Sequence, residues 1–331
     1  MKTRLKAMAG LLAGAALSLG MQAPAAAQQF TLRLNHVLAP TEPFHEGFQL
    51  WARRVEERTR GALRMQVFHS AQLGVEEDII EQMRQGANIG QNTDAARLGT
   101  YVRGIAVMNG PYFAETLDEV AKLRESPTIK RFTEELASQH GLRVVCFDWV
   151  QGMRHFYTNK PVRRPEDLAG LRIRTPPAPI WQESVRALGA SPVAMAFGDM
   201  YPALQQKAID GVELVHNNIP GRRFWEVLNH ANETSHILLI NFQVVGSQFF
   251  NRLPAELQTA LVEECQKAGR ETSEKILASE AQVRQTLRDR GMTLVTDVDL
   301  AAFRRAGERA YQTLNLLEVR DAVHREIGKQ R

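Results

Sequence analysis

The sequence predicts an α/β protein of two domains tied together by one long helix, and three observations carry that prediction. Along most of the chain the apolar residues switch between a period of two and a period near 3.6. Residues 171–215 run strand, helix, strand, helix, strand, the pattern of a parallel sheet with ligand loops along one edge. Residues 255–290 keep helical spacing without a proline, a rod of roughly 50 Å at about 1.5 Å per residue. A domain of about 150 residues is only some 30 to 35 Å across. Unbroken, that helix must run along both domains as a spine; a break near Gly269 is the alternative.

The elements follow in order. Residues 1–27 stand apart from the fold. Lys2, Arg4 and Lys6 precede a stretch of small and apolar residues from Met8 to Met21, and Ala25-Ala26-Ala27 offers a cleavage site. This is the pattern of a secretory signal peptide, with a mature protein beginning near Gln28 in an exported, periplasmic compartment. Its apolar core is too short to span a membrane. Removing its three basic residues takes the formal charge from +4 to +1, so the charge balance does not argue for nucleic acid or anionic membranes as partners, and no nucleic acid is expected. At 331 residues and 44% hydrophobic, it is long enough for two cores.

Thr31 to His36 forms a strand. Phe44, Phe48, Trp51 and Val55 share one face of a helix that Gly61 ends. Leu63, Met65 and Val67 alternate as a second strand, Val75 to Gln85 is helical, and Asn88 to Asn92 makes a third strand. Ser126-Pro127 starts a helix with Ile129, Phe132 and Leu136 inward, and Gly141 caps it. Leu142 to Trp149 is a strongly apolar strand. These elements make the first domain.

The second centres on Leu171-Arg172-Ile173-Arg174-Thr175, which alternates apolar and cationic residues until Pro176-Pro177 stops it. Arg174 thus stands at a strand's carboxyl end, where open α/β sheets place ligands. A guanidinium there is either a clamp for a carboxylate or phosphate or an ordinary surface arginine. Ala178 to Leu188 is a helix closed by Gly189, Ser191 to Ala196 a strand, Met200 to Ala208 a helix capped by Asp199, and Val212 to Val215 a strand. After the long helix, Met292 to Thr296 is a strand and helices fill the chain from Asp299. Cys146 and Cys265 fall in apolar patterns and are expected to stay buried and unpaired, a disulfide being the alternative in an exported protein.

No hydrolase elbow, zinc-protease pair, P-loop or CxxC motif is present. The nine histidines are scattered and are expected to be caps, surface or core residues. Neither a metal, a cofactor nor catalysis is expected.

A resemblance sharpens this reading. The chain resembles the substrate-binding proteins of tripartite ATP-independent periplasmic (TRAP) transporters, of the DctP type, over nearly all of residues 28–331. The likeness is carried by Gly74 and the helix after it, Gly152-Met153-Arg154, Thr158-Asn159-Lys160-Pro161, Asp167 to Arg174, Gly189-Ala190-Ser191-Pro192, Met195-Ala196-Phe197, Tyr201 to Gln205 and Ala208 to Glu213. It implies a bilobal, periplasmic-binding-protein-like fold whose two α/β domains are joined by hinge strands and the spanning helix. Domain I would comprise 28–150 plus about 240–275, and domain II 151–239 plus about 276–331. The strands would cross near Gln151 and Asn241.

The same resemblance implies a protein that closes over a small organic acid (a dicarboxylate, keto acid, sugar acid or aromatic acid) and delivers it to the transporter's membrane subunits. Arg174 matches the arginine that pairs with the substrate carboxylate, and Arg154 a second basic residue supporting it. Phe197, Glu213 and Asp94 match further contact positions, and Asn92 and Asn217 complete the candidate set. Leu214 replaces an asparagine common at that place. Trp149 and Phe197 could add aromatic surface, which leans the ligand toward an acid with an apolar or aromatic body. A ligand sensor reporting to a membrane receptor, or a periplasmic enzyme, is the alternative function.

Overall fold

The computed structural model describes residues 29–329; the expected signal peptide lies outside them. The chain runs β1 (Phe30–Asn35), α1 (Pro43–Arg58), β2 (Leu63–Phe68), α2 (Glu76–Arg84) and β3 (Ile89–Asp94). Short helices α3 (Ala95–Leu98) and α4 (Leu117–Leu123) lead to α5 (Pro127–Gln139) and β4 (Leu142–Thr158). Next come β5 (Arg172–Thr175), α6 (Pro179–Ala187), β6 (Ser191–Ala194), α7 (Met200–Gln205) and β7 (Gly211–Val215). Helix α8 (Asn218–Arg222), β8 (His230–Gly246), α9 (Ser247–Arg252) and α10 (Ala255–Asp289) follow. Strand β9 (Thr293–Val295) and helices α11 (Leu300–Thr313) and α12 (Leu317–Glu326) complete the chain.

The strands form one sheet in the order β2-β1-β3-β8-β4-β7-β5-β6, with β9 also on β8. Its two central strands, β4 and β8, are 17 residues each, far longer than their neighbours. Strand β3 meets β8 only along the end of that strand, Asn241 to Val245, and β7 meets β4 only along its end, Arg154 to Thr158. The sheet therefore has two halves, a first lobe around β1–β3 and a second around β5–β7, with β4 and β8 passing through both. Between them the β4–β8 register shifts repeatedly, including between Val150 and Met153. Gly152 sits in that shift at φ +114°, a conformation that a Cβ disfavours. Asn241, where a crossing strand is expected, lies in β8; the strand's extent is not legible as alternation because Ile237 to Val245 is buried on both faces.

Helix α10 is continuous over 35 residues, and no break occurs at Gly269. That glycine is a contact point: a Cβ there would stand 2.7 Å from the Trp149 ring. The helix's first half packs on α1, where Trp51 Nε1 donates to the Leu261 carbonyl at 3.1 Å. Its second half reaches the other lobe, where Arg284 donates to Glu233 of β8 at 2.7 Å. Cys146 and Cys265, expected to be unpaired, form a disulfide joining β4 to α10. Packing the helix across the strand brings their Cα atoms to 6.1 Å, within the range a disulfide spans.

The C-terminal helix α12, residues 317–326, packs against elements that precede β4. Thr128 Oγ1 at the start of α5 donates to Glu326 at 2.7 Å, and His324 Nε2 meets the Phe113 carbonyl at 2.9 Å. Val323 and Ile327 join the cluster containing Ile129, Phe132 and Leu136, so burying this apolar stripe draws the helix across.

Candidate ligand site

Where the two lobes meet, their facing residues line one cavity. The first lobe contributes Val37, Leu38, Glu76, Asn92, Asp94 and Arg97. The second contributes Arg154, Arg174, Pro176, Trp181, Phe197, Leu214 and Asn218. Gln151, Leu239 and Asn241 line it from the crossing strands, and Asn241 Nδ2 approaches Gln151 Oε1 at 3.5 Å.

Arg174 reaches the cavity from the carboxyl end of β5, which lies between β6 and β7. It is 1% exposed, whereas Arg172, one pleat earlier, is exposed and paired with Asp210 at 2.9 Å. Arg174 Nε donates to the Met195 carbonyl at 2.9 Å. Among the described residues neither terminal nitrogen has a hydrogen-bond or ion-pair partner. Burial lowers its pKa to about 9, with Glu213 opposing that shift, so it stays cationic at neutral pH. A buried cation without its own counter-ion is costly, and two free N–H groups in fork geometry suit an oxyanion.

The other two arginines are already held. Arg154, from β4, is gripped by the Glu213 carboxylate and the Glu213 carbonyl and lies 4.4 Å from the Trp181 ring centre. Glu213 does not line the cavity. It stands behind Arg154 and accepts from Thr175 Oγ1 at 2.8 Å, and Arg154 and His236 hold its carboxyl down at about 2 against the effect of burial. Arg97 is paired with Asp94, with Glu76 at 2.7 Å and with Glu77 at 2.7 Å. Asp94 caps α3 by accepting from the Arg97 backbone N–H at 2.8 Å.

Of the expected residues, Arg174, Arg154, Phe197, Asp94 and Asn92 come together around one cavity. Asn217 does not line it; the turn after β7 places Asn218 there instead. Trp149 lies in the core, fully buried, with ring centres 4.7 Å from Phe48 and 5.4 Å from Phe44. Half the basis for an aromatic ligand body goes with it. Leu214 does line the cavity. Glu76, Arg97, Trp181, Gln151 and Asn218 were missed as site residues. For Glu76, Arg97, Trp181 and Asn218 the one sequence signal is position at or near an element's end; Gln151 lies mid-strand in β4.

The lobes are closed. Trp181 Nε1 of the second lobe donates to Asp94 Oδ1 of the first at 3.2 Å. Asn218 Nδ2 donates to Glu42 Oε2 at 2.7 Å, and Arg222 to the Val37 carbonyl at 3.0 Å. Glu42 also accepts from the Ala39 backbone N–H at 2.9 Å, fixing the turn that presents Val37 and Leu38.

Away from the cavity the fold gathers His155, His216 and Glu280, with possible ligand atoms within 4.8 Å of one another. Ser235 donates its backbone N–H to His155 Nδ1 at 3.1 Å. The proton of a neutral His155 therefore sits on Nε2, leaving no lone pair there for a metal.

Two lobes on shared strands, closed over a buried guanidinium, define a ligand-trapping binding protein. The chain belongs to family 7 of the bacterial extracellular solute-binding proteins, the DctP family, whose model matches residues 34–316. The family is one of solute-binding transport proteins and not of enzymes. The chain is 28% identical over 330 residues to the C4-dicarboxylate-binding periplasmic protein DctP of Rhodobacter capsulatus, covering 97% of this chain and 95% of that one. It superposes on a TRAP periplasmic solute-binding protein of Actinobacillus succinogenes with bound L-galactonate at a TM-score of 0.84, with 28% identity over 91% of this chain and 100% of the other. For an apo, open TRAP protein of Escherichia fergusonii the TM-score is 0.78, with 30% identity over 89% and 99% of the chains. The lower score against the open form accords with closed lobes here.

Proposed function

We propose that this protein captures a small organic acid by a salt bridge from Arg174, closes its lobes over it, and delivers it to the membrane subunits of a TRAP-type transporter. The observation that carries this reading is the pair of unpartnered terminal nitrogens on a fully buried Arg174. Arg154 supports the same carboxylate from a position fixed by Glu213. Asp94, Asn92 and Phe197 contact the rest of the ligand, with Asn218 taking the role expected of Asn217. Among its relatives, one solved protein holds L-galactonate and another is named for C4-dicarboxylates.

Magnitudes require closure. A hydrogen bond to a charged group contributes about 1.5 to 3 kcal/mol, whereas micromolar affinity needs about 8 kcal/mol. The difference comes from burying the ligand between lobes, where water is excluded. The lobes turn about β4 near Gln151 and β8 near Asn241. The first comprises residues 28–150, the end of β8, the start of α10 and also α12; the second comprises 151–239 with the rest of α10 and α11. The mature protein begins near Gln28, in the periplasm.

Calorimetry with a panel of dicarboxylates, keto acids, sugar acids and aromatic acids tests the salt bridge. Arg174→Ala should lose at least tenfold in affinity for every acid the wild type binds, with unchanged circular dichroism. Undiminished affinity would overturn the assignment.

A further inference from the structure

The cavity's charges are unequally committed. Arg97 faces three carboxylates, those of Asp94, Glu76 and Glu77. Arg154 is matched by Glu213. Arg174 alone has no carboxylate within ion-pair distance among the described residues. A ligand with one carboxylate can therefore settle on Arg174 at no further electrostatic cost. A second carboxylate, placed toward the first lobe, would face the Asp94 carboxylate, and that of Glu76 above the value of about 7 to which burial raises it, with no free cation to receive it. Like charges meeting in a dry cavity are strongly unfavourable.

The uncharged polar lining points to the remainder of the ligand. Asn92 Oδ1 is taken by Gln243 Nε2 at 2.8 Å, which leaves its amide N–H groups for a ligand. Asn218 gives its N–H to Glu42, which leaves its oxygen. Donors and acceptors thus stand on both walls, between apolar patches such as Leu214 and Leu239. A hydroxyl both donates and accepts, and it matches such a lining where a carboxylate, which only accepts, does not.

Resting on the carboxylate reading above, we infer that the site selects monocarboxylates bearing hydroxyl groups and rejects dicarboxylates. Glu76 and Asp94 are the residues that discriminate, by repulsion rather than by contact with the favoured ligand's charge.

The test compares acids that differ only in the oxidation state of the far carbon: galactonate against galactarate, and erythronate against meso-tartrate. By calorimetry on the mature protein at pH 8, where Glu76 is ionised, each monoacid should bind at least tenfold more tightly than its diacid. Glu76→Gln, which keeps the shape but removes the charge, should narrow that ratio at least threefold with circular dichroism unchanged. Diacids binding as tightly as their partners would overturn the inference while leaving the carboxylate trap intact. A ratio unmoved by both Glu76→Gln and Asp94→Asn would overturn the role given to these residues. Binding of neither member of any pair, nor of any other acid, would remove the carboxylate trap itself.

Discussion

Gly221 and Glu42 meet across the closed interface so closely that a Cβ on Gly221 would stand 2.8 Å from Glu42 Cγ. The glycine lets α8 approach the turn before α1, and Asn218, one turn earlier on the same helix, then reaches the Glu42 carboxylate. Gly221→Ala should wedge this contact open. The expected result is faster ligand release with little change in the association rate, measured by stopped-flow fluorescence, and a larger radius of gyration at saturation in solution scattering. Unchanged release would show that closure does not need this approach.

Glu42 gives the interface a dependence on pH. Burial raises its carboxyl from 4.5 to about 7, against bonds from Ala39 and Asn218 and the charge of Arg222. A group whose pKa is higher in the folded than in the unfolded chain stabilises most below its unfolded value, and that contribution is lost as pH rises through the folded one. For Glu42 the window runs from about 4.5 to about 7. His36, His155 and His236, lowered by burial, titrate with the opposite sign, His36 falling to about 3. The difference between wild type and Glu42→Gln cancels them. That difference in melting temperature should favour the wild type more at pH 5 than at pH 8; a difference independent of pH would refute it.

Arg174 carries function at the expense of the fold. Its guanidinium is buried without a counter-ion of its own, so an apolar side chain of similar length should be easier to bury. Arg174→Met should raise the melting temperature of the ligand-free protein while abolishing acid binding, a trade common at functional sites. A drop in melting temperature would mean that the bond to Met195 outweighs the buried charge.

How much of the molecule is legible in its sequence depends on whether the signal is local. The alternation around Ile173 and the proline stop at Pro176 locate β5 and set Arg174 at its end, where the structure has it. The proline-free spacing from Ala255 gives α10 to within a residue. Trp149 is misplaced because alternation along β4 fails where the register shifts. Trp149 turns into the core against α1 while Gln151, two residues on, lines the cavity. The Cys146–Cys265 bond depends on a helix crossing a strand 119 residues away in sequence, and no local pattern announces it. The pairing of Arg154 with Glu213 and of Arg97 with its three carboxylates is likewise set by packing between elements, so only the structure reveals which arginine is left free.

The disulfide also orders the chain's assembly in time. Strands β5, β6 and β7 with their helices lie between residues 172 and 215, and such short-range contacts form early. The sheet of β1–β3 must wait for β8, and the cross-link waits further for residue 265. Neither half can be sealed early: the one that carries Arg174 waits for Phe303 and Ala306 of α11 to complete its core, and its counterpart waits for the cross-link. An oxidant arriving too soon would find Cys146 with no partner.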